Sequence, residues 1–227
     1  DGVIYDDTQC HDESDQCDDA DAVAKICAFA QAHDLWIISD EVYEEMVYAS
    51  TCASPWGCRD ARERIIVISS ISKSFAAPGL RSGWMLAVPE VSQKLLLMGE
   101  TILFGNQPFL ADATAKALAS PRPWPADAMA KRFAKRAQFI AGYCKEHGKI
   151  HPIMPKAGMF MLLDIRDLGV SAEDFAWALL EQYKIAVMPG TAFGEQAKGL
   201  LRVALSAQDD AIMHAMTHIR KLADSFC

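Results

Sequence analysis

Ser70-Ile71-Ser72-Lys73 sets a hydroxyl and an amine three residues apart, and that spacing admits two chemistries. S-x-x-K is the nucleophile signature of acyl-transferring serine enzymes such as the β-lactamases. Alternatively Lys73, flanked by hydroxyls and followed by Arg81, could hold an aldehyde cofactor that carries a phosphate. The serine chemistry also needs S-D-N and K-T-G elements further along the chain. The nearest matches are Ser39-Asp40-Glu41, which lies upstream, and Lys156-Ala157-Gly158, which lacks the hydroxyl. The S-x-x-K motif should also open a helix, whereas here it leaves an apolar run and heads into Pro78-Gly79. The serine reading fails on order and on context.

The lysine reading gains with each further residue. An enzyme using pyridoxal 5'-phosphate needs a Lys for the Schiff base, an acid for the ring nitrogen, a donor for the ring oxygen, and hydroxyl and cationic partners for the phosphate. Asp40 and Tyr43 stand together just beyond the apolar run Leu35–Ile38, while Ser70 and Arg81 bracket Lys73. A carboxylate facing the ring nitrogen keeps it protonated, and the resulting cation draws electrons from the substrate. Taken singly, Asp40 reads as a cap and Lys73 as a solvated side chain. It is the ordered set that carries the chemistry.

Several elements must position these groups. Asp19 to His33 has helical spacing of Val23, Ile26, Cys27 and Ala30 behind a cluster of Asp. Leu35–Ile38, Ile65–Ile68 and Trp84–Val88 are short apolar runs of the kind buried on both faces of a helix-covered sheet. Polar residues follow the first two at their carboxyl ends, where open α/β sheets place ligands. Helices are expected from Val91 to Phe104, on to Leu118 after a break at Gly105–Pro108, and then to about His147. The three prolines of Ser120–Pro125 mark a linker. Strands near Met159–Ile165, Ile185–Met188 and Leu201–Leu205 alternate with helices at Ser171–Gln182 and up to Ala223. The pattern is α/β, with domains expected over residues 1–119 and 120–227.

The balance of 51% hydrophobic and 23% charged residues is that of a globular protein. No apolar run reaches the ~20 residues a membrane helix needs, and the start resembles no signal peptide. Nine acids and no Lys or Arg occupy residues 1–21, leaving 21 acids against 22 bases elsewhere, so the net charge of −8 comes from one end. The body then has no basic face for nucleic acid or membrane. Seven cysteines, an odd number at irregular spacing, point to reduced thiols and a cytoplasmic protein. The acidic stretch fits neither a calcium loop, with Cys17 where Gly belongs, nor a zinc site built on Cys10, His11 and Cys17. His214 and His218 lie four apart but lack a third ligand. No metal site is expected.

Ser39-Asp-Glu-Val-Tyr43 followed by Ser70-Ile-Ser-Lys73, Pro78-Gly79, Arg81 and Gly83-Trp84 resembles the class I/II aminotransferases. Lys156-Ala-Gly-Met-Phe160, Met188-Pro-Gly-Thr-Ala-Phe-Gly194 and Leu201-Arg-Val-Ala-Leu-Ser206 continue the likeness, which runs from about Ala20 to the end. The resemblance implies fold type I: part of a large three-layer α/β/α domain followed by an α+β small domain. It implies Lys73 as the catalytic Schiff-base lysine, Asp40 and Tyr43 as partners of the cofactor ring, Ser70 and Arg81 as phosphate ligands, and Arg202 as the fork for the substrate α-carboxylate. It also implies amino acid and 2-oxo acid substrates, with a homodimer or a pairing with a missing N-terminal segment. The surroundings of Leu103–Phe109 are closest to enzymes acting on aspartate or arginine. Two features depart from the family: its members are much longer, and their N-P-x-N-P-x-G turn has no counterpart at Asp12–Asp15. A β-lyase or decarboxylase of the same fold, or a non-catalytic module, are the alternatives.

Overall fold

The computed structural model describes residues 3–6, 20–48, 51–105, 107–120 and 124–226. The acidic stretch with Cys10, His11 and Cys17 lies outside them, as do Asn106 and the middle of the proline linker. Among the described residues the chain divides into two compact units, one reaching to Met129 and the other beginning at Ala130.

The first unit is built on a four-stranded sheet in the order β1-β2-β3-β4. Strands β1 (Val3–Asp6), β2 (Trp36–Asp40) and β3 (Ile65–Ser70) run parallel, and β4 (Gly83–Leu86) returns antiparallel to β3. Strand β1 is not among those the sequence pattern predicts. Helix α1 (Ala20–Ala32) supplies Val23, Cys27 and Ala30 to a core shared with Ile37, Ile65, Val67 and Ala61. Trp56, from the short 3-10 turn Pro55–Gly57, and Cys58, which sits between it and the turn Arg59–Arg64, pack against that core. Burial alternates along β2 and β3, with Ile37, Ser39, Ile65, Val67 and Ser69 buried and the intervening residues only half-buried. This corrects the expectation of strands buried on both faces.

Register decides what this edge can present. Asp40 pairs with Ile68 and Ser70 with Gly83, so the carboxyl ends of β2 and β3 and the start of β4 share one edge of the sheet. A Cβ on Gly83 would stand 2.7 Å from the Ser69 carbonyl oxygen and 3.1 Å from the Ser70 Cβ. Glycine therefore lets β4 lie against the two serines. Beyond β4, helices α3 (Pro89–Leu103) and α4 (Pro108–Leu118) carry large apolar side chains that stay exposed: Leu97 at 66%, Leu103 at 72% and Phe109 at 67%.

The second unit contains an antiparallel sheet in the order β5-β6-β8-β7, from β5 (His151–Ile153), β6 (Phe160–Asp164), β7 (Met188–Pro189) and β8 (Leu200–Ala204). Strand β5 was not expected, and β7 is shorter and later than the predicted 185–188. Helices α6 (Ala172–Tyr183) and α7 (Asp209–Asp224) bring buried Phe175, Leu179, Ile212, Met216 and Ile219. The long α5 (Trp124–His147) adds Phe133, Ala137 and Ile140. Arg136 of α5 donates to Asp209 Oδ1 at 2.6 Å and to the Leu205 carbonyl at 2.7 Å, fixing the exit of β8 to the start of α7.

Gly83→Ala is expected to cost roughly 1–3 kcal/mol, because its methyl group meets backbone rather than a flexible tip. Gly142→Ala, in α5 with nothing within 4 Å of the added carbon, should be neutral or stabilising by up to ~1 kcal/mol. Urea unfolding of the two variants beside the parent checks the contrast.

Candidate active site

The strand ends described above hold five of the six predicted residues. Asp40 closes β2, half-buried, and its Oδ1 accepts from the Val42 amide at 3.2 Å, which starts a tight turn. That turn is closed by Glu44 N–H to the Glu41 carbonyl at 3.1 Å and Met46 N–H to the Tyr43 carbonyl at 2.8 Å. Met46 anchors it, being 1% exposed. Tyr43 thus projects from a turn fixed at both ends.

Ser70 ends β3 in an extended conformation, and its Oγ accepts from the Ser72 amide at 3.3 Å. One helical turn follows, α2 (Ile71–Ser74), so S-x-x-K does open a short helix here. That revises the context argument against the serine chemistry; the argument from motif order stands. Ile71 and Ser74 are buried, which leaves Ser72 and Lys73 on the half-exposed side. Lys73 Nζ lies 5.7 Å from the centre of the Tyr43 ring. An ammonium over a tyrosine face is favoured by the ring quadrupole, and this contact joins the β2 turn to the β3 turn.

Arg81 follows the 3-10 turn Pro78–Leu80, at φ 49°, and its Nη1 donates to the Pro78 carbonyl at 3.0 Å. Its side chain is exposed beside the start of β4, two residues before Gly83. Behind the edge, Ser82 and Thr114 hydroxyls pair at 2.7 Å, tying the approach of β4 to α4.

Arg202 belongs to the second unit. In β8 it pairs with Leu162 on one side and Met188 on the other, with Leu201 and Val203 buried beside it. The guanidinium carbon sits 4.2 Å from the Phe160 ring centre and 4.1 Å from that of Phe193. Phe193 is held by the segment Gly190–Phe193, where a Cβ on Gly190 would collide with the Ala197 carbonyl and the Thr191 hydroxyl donates to Glu173. The hydrogen bond from Thr191 holds the Glu173 carboxyl below its usual range. Sequence reasoning missed Phe160 and Phe193 as supports of Arg202, although both lie inside the motifs it quoted.

A second feature also escaped it. Glu41 is buried beneath the Asp40–Met46 turn, and its Oε1 accepts from Ser39 Oγ at 3.1 Å and Ser54 Oγ at 2.6 Å. Ser69 Oγ donates to the Glu41 carbonyl at 3.3 Å. Buried polar atoms of this kind need such partners. Among the described residues no group of three or more His, Cys, Asp or Glu could hold a metal ion, and no helix is long and apolar enough to cross a membrane.

A mostly parallel sheet with lysine, tyrosine, aspartate and serine at its carboxyl edge defines an open α/β scaffold with a lysine-centred site. The family model described as aminotransferase class I and II matches residues 19–219, and the chain belongs to that family. Its members depend on pyridoxal phosphate and have fold type I, to which this α/β architecture conforms. The chain is 33% identical over 199 residues to the arginine–pyruvate transaminase of Pseudomonas aeruginosa, covering 88% of this chain and 50% of that protein. With an aspartate aminotransferase of Pyrococcus abyssi it shares 30% over 200 residues, 87% of this chain and 51% of the other. The crystal structure of an aromatic aminotransferase from Pyrococcus horikoshii matches with a TM-score of 0.88 at 26% identity, covering 98% of this chain and 59% of that one. The chain therefore spans about half the length of the relatives it matches.

The aromatic support of Arg202 is open to a double-mutant cycle. Phe193→Leu and Arg202→Gln, alone and combined, should show a coupling of about 0.5–1 kcal/mol in unfolding free energy, the range of a partly exposed cation–π contact. Zero coupling would make the contact incidental.

Proposed function

We propose that this chain carries the lysine and the carboxylate-binding arginine of an aminotransferase that moves an amino group from an α-amino acid to a 2-oxo acid. The observation that carries the reading is the meeting of Lys73 with Tyr43 at a strand-end edge that also holds Asp40 and Ser70. The donor set suits the cofactor: one amine, one carboxylate, one phenol, one hydroxyl and one guanidinium, in a family that uses pyridoxal phosphate. Residues 1–119 would be part of the cofactor domain and 120–227 the small domain, a reading supported by the separate sheet in each unit.

When bound, the cofactor supplies an aldehyde that condenses with amines and a cationic ring that withdraws electrons from the substrate carbon. Lys73 would be the point of attachment, and its amine would carry a proton on and off the substrate as general base and acid. Asp40 would keep the ring nitrogen protonated, and Tyr43 would donate to the ring oxygen. Ser70 and Arg81 would bind the phosphate. Arg202 would hold the substrate carboxylate by two parallel hydrogen bonds, its guanidinium already oriented by Phe160 and Phe193.

The exposed apolar side chains of α3 and α4 support an association, either with a second copy or with the remainder of a longer aminotransferase chain. Light scattering of the purified chain tests the second-copy alternative: a mass above 24.9 kDa supports it, and a monodisperse monomer with bound cofactor refutes it. The free thiols of Cys27, Cys52, Cys58 and Cys144 support a reducing, cytoplasmic setting.

Two substitutions divide cofactor from substrate. Purified protein given pyridoxal phosphate should show the visible band of a lysine-bound cofactor, and borohydride should fix it on Lys73. Lys73→Ala should abolish both; an adduct at another lysine would overturn the assignment. Arg202→Lys keeps the charge but loses the fork, so donor and 2-oxo acid should both bind more weakly, by roughly 1.5–3 kcal/mol. Cofactor content should not change.

A further inference from the structure

Helix α4 is attached to the first unit by a polar contact. Among the described residues of α4 only Thr114 is buried, at 7% exposure. Its Oγ1 donates to the Leu110 carbonyl at 2.8 Å and pairs at 2.7 Å with the hydroxyl of Ser82, itself 5% exposed. Ser82 lies between Arg81 and Gly83, at the entry to β4. Its carbonyl accepts at 3.3 Å from the amide of Ile71, the first residue of the turn α2 that carries Lys73. Ser82 is therefore held from two sides, by α2 through its backbone and by α4 through its side chain.

The residue that this hold steadies is Arg81. With φ 49° and ψ 44° its backbone lies in the left-handed region, which a non-glycine residue keeps only where its neighbours over-determine it. On one side the turn is closed by the Leu80 amide on the Ala77 carbonyl at 3.2 Å and by Arg81 Nη1 on the Pro78 carbonyl at 3.0 Å. On the other side stands Ser82. We propose that Thr114 is a positioning residue for the cofactor phosphate: through the Ser82 hydroxyl it fixes the left-handed turn at Arg81, and with it the place from which the guanidinium reaches the phosphate. This rests on the reading of Arg81 as a phosphate ligand and of Lys73 as the cofactor lysine.

The backbone bond from Ile71 to Ser82 involves neither hydroxyl. Breaking the hydroxyl pair therefore leaves α2 and Lys73 in place and releases only the Arg81 side. The effect falls on the phosphate and spares the aldehyde end of the cofactor, and that division sets this role apart from a contribution to folding alone.

Titrations of the purified chain with pyridoxal phosphate and with pyridoxal, which lacks the phosphate, test this, each followed by its visible band under conditions where every variant is folded. Thr114→Val keeps the shape and removes the hydroxyl. It should raise the Kd for pyridoxal phosphate about fivefold, the worth of one hydrogen bond, and leave the Kd for pyridoxal within about twofold of the parent. Ser82→Ala, which breaks the same bond from the other end, should give the same pattern and serves where Thr114→Val does not fold. Thr114→Ser restores the hydroxyl and should restore the parental Kd. On an Arg81→Gln background Thr114→Val should have no further effect, because the residue it acts through is gone. Equal losses for the two ligands, no loss for either, or a Thr114→Val effect undiminished on Arg81→Gln overturns the positioning role and leaves the reading of Arg81 and Lys73 intact. A parent that binds the two ligands equally overturns the phosphate reading of Arg81 and this proposal with it. A parent that binds neither overturns the Lys73 reading as well.

Discussion

The parallel pairing of β2 with β3 is the constraint on which the first unit turns. Its register, Ile37 against Ile65 through Asp40 against Ile68, is held by apolar burial on one face only. Ile37 and Ser39 point to the α1 side with Ile65, Val67 and Ser69, so Asp40 and Ser70 necessarily point to the other. A slip of one residue would exchange the faces, burying Asp40 under α1 and turning Ile37 outward. The hydrophobic core and the placement of the polar groups are thus one decision. Because both strands run the same way, both chains leave the sheet at the same edge, and Tyr43 and Lys73 can meet although thirty positions separate them in sequence.

The second unit solves a similar problem in an antiparallel sheet. Alternation along β8 buries Leu201 and Val203 and leaves Arg202 on the opposite face, over Phe160 of the neighbouring strand. The remaining ring comes from a loop rather than a strand. Gly190 lets that loop pass against the Ala197 backbone, and Glu173 takes the Thr191 hydroxyl to hold it there. Loops tied down on a rigid scaffold are common carriers of functional side chains.

Much of this could be read from residue order. Asp40, Tyr43, Ser70 and Lys73 announced themselves by lying just past short apolar runs, and apolar spacing marked α1, while α3, α4, α6 and α7 lie close to where helices were expected. What could not be read is tertiary. Strand β5, only His151–Ile153 with a proline in it, has too few residues to show a period. The one-sided burial of β2 and β3 was hidden because Ile38, Ile66 and Ile68 are as apolar as their buried neighbours. The serine–glutamate network under the turn joins Ser39, Ser54 and Ser69, three hydroxyls from separate segments that nothing in local sequence connects. S-x-x-K looked unable to open a helix because Pro78 follows so closely; a single turn, ended at Ser74, fits in the space.

The contact of Arg202 with two rings has a consequence for the shape of what it can hold. A free arginine turns its guanidinium to suit the anion it meets, whereas one confined by Phe160 and Phe193 offers a set plane. Two parallel N–H bonds then match a flat carboxylate lying in that plane. A tetrahedral oxyanion, such as a phosphonate or sulfonate of equal charge, can align fewer of its oxygens with that plane. In the proposed role of Arg202 as carboxylate fork, discrimination between anions would be geometric, made by two hydrocarbon rings that carry no charge of their own.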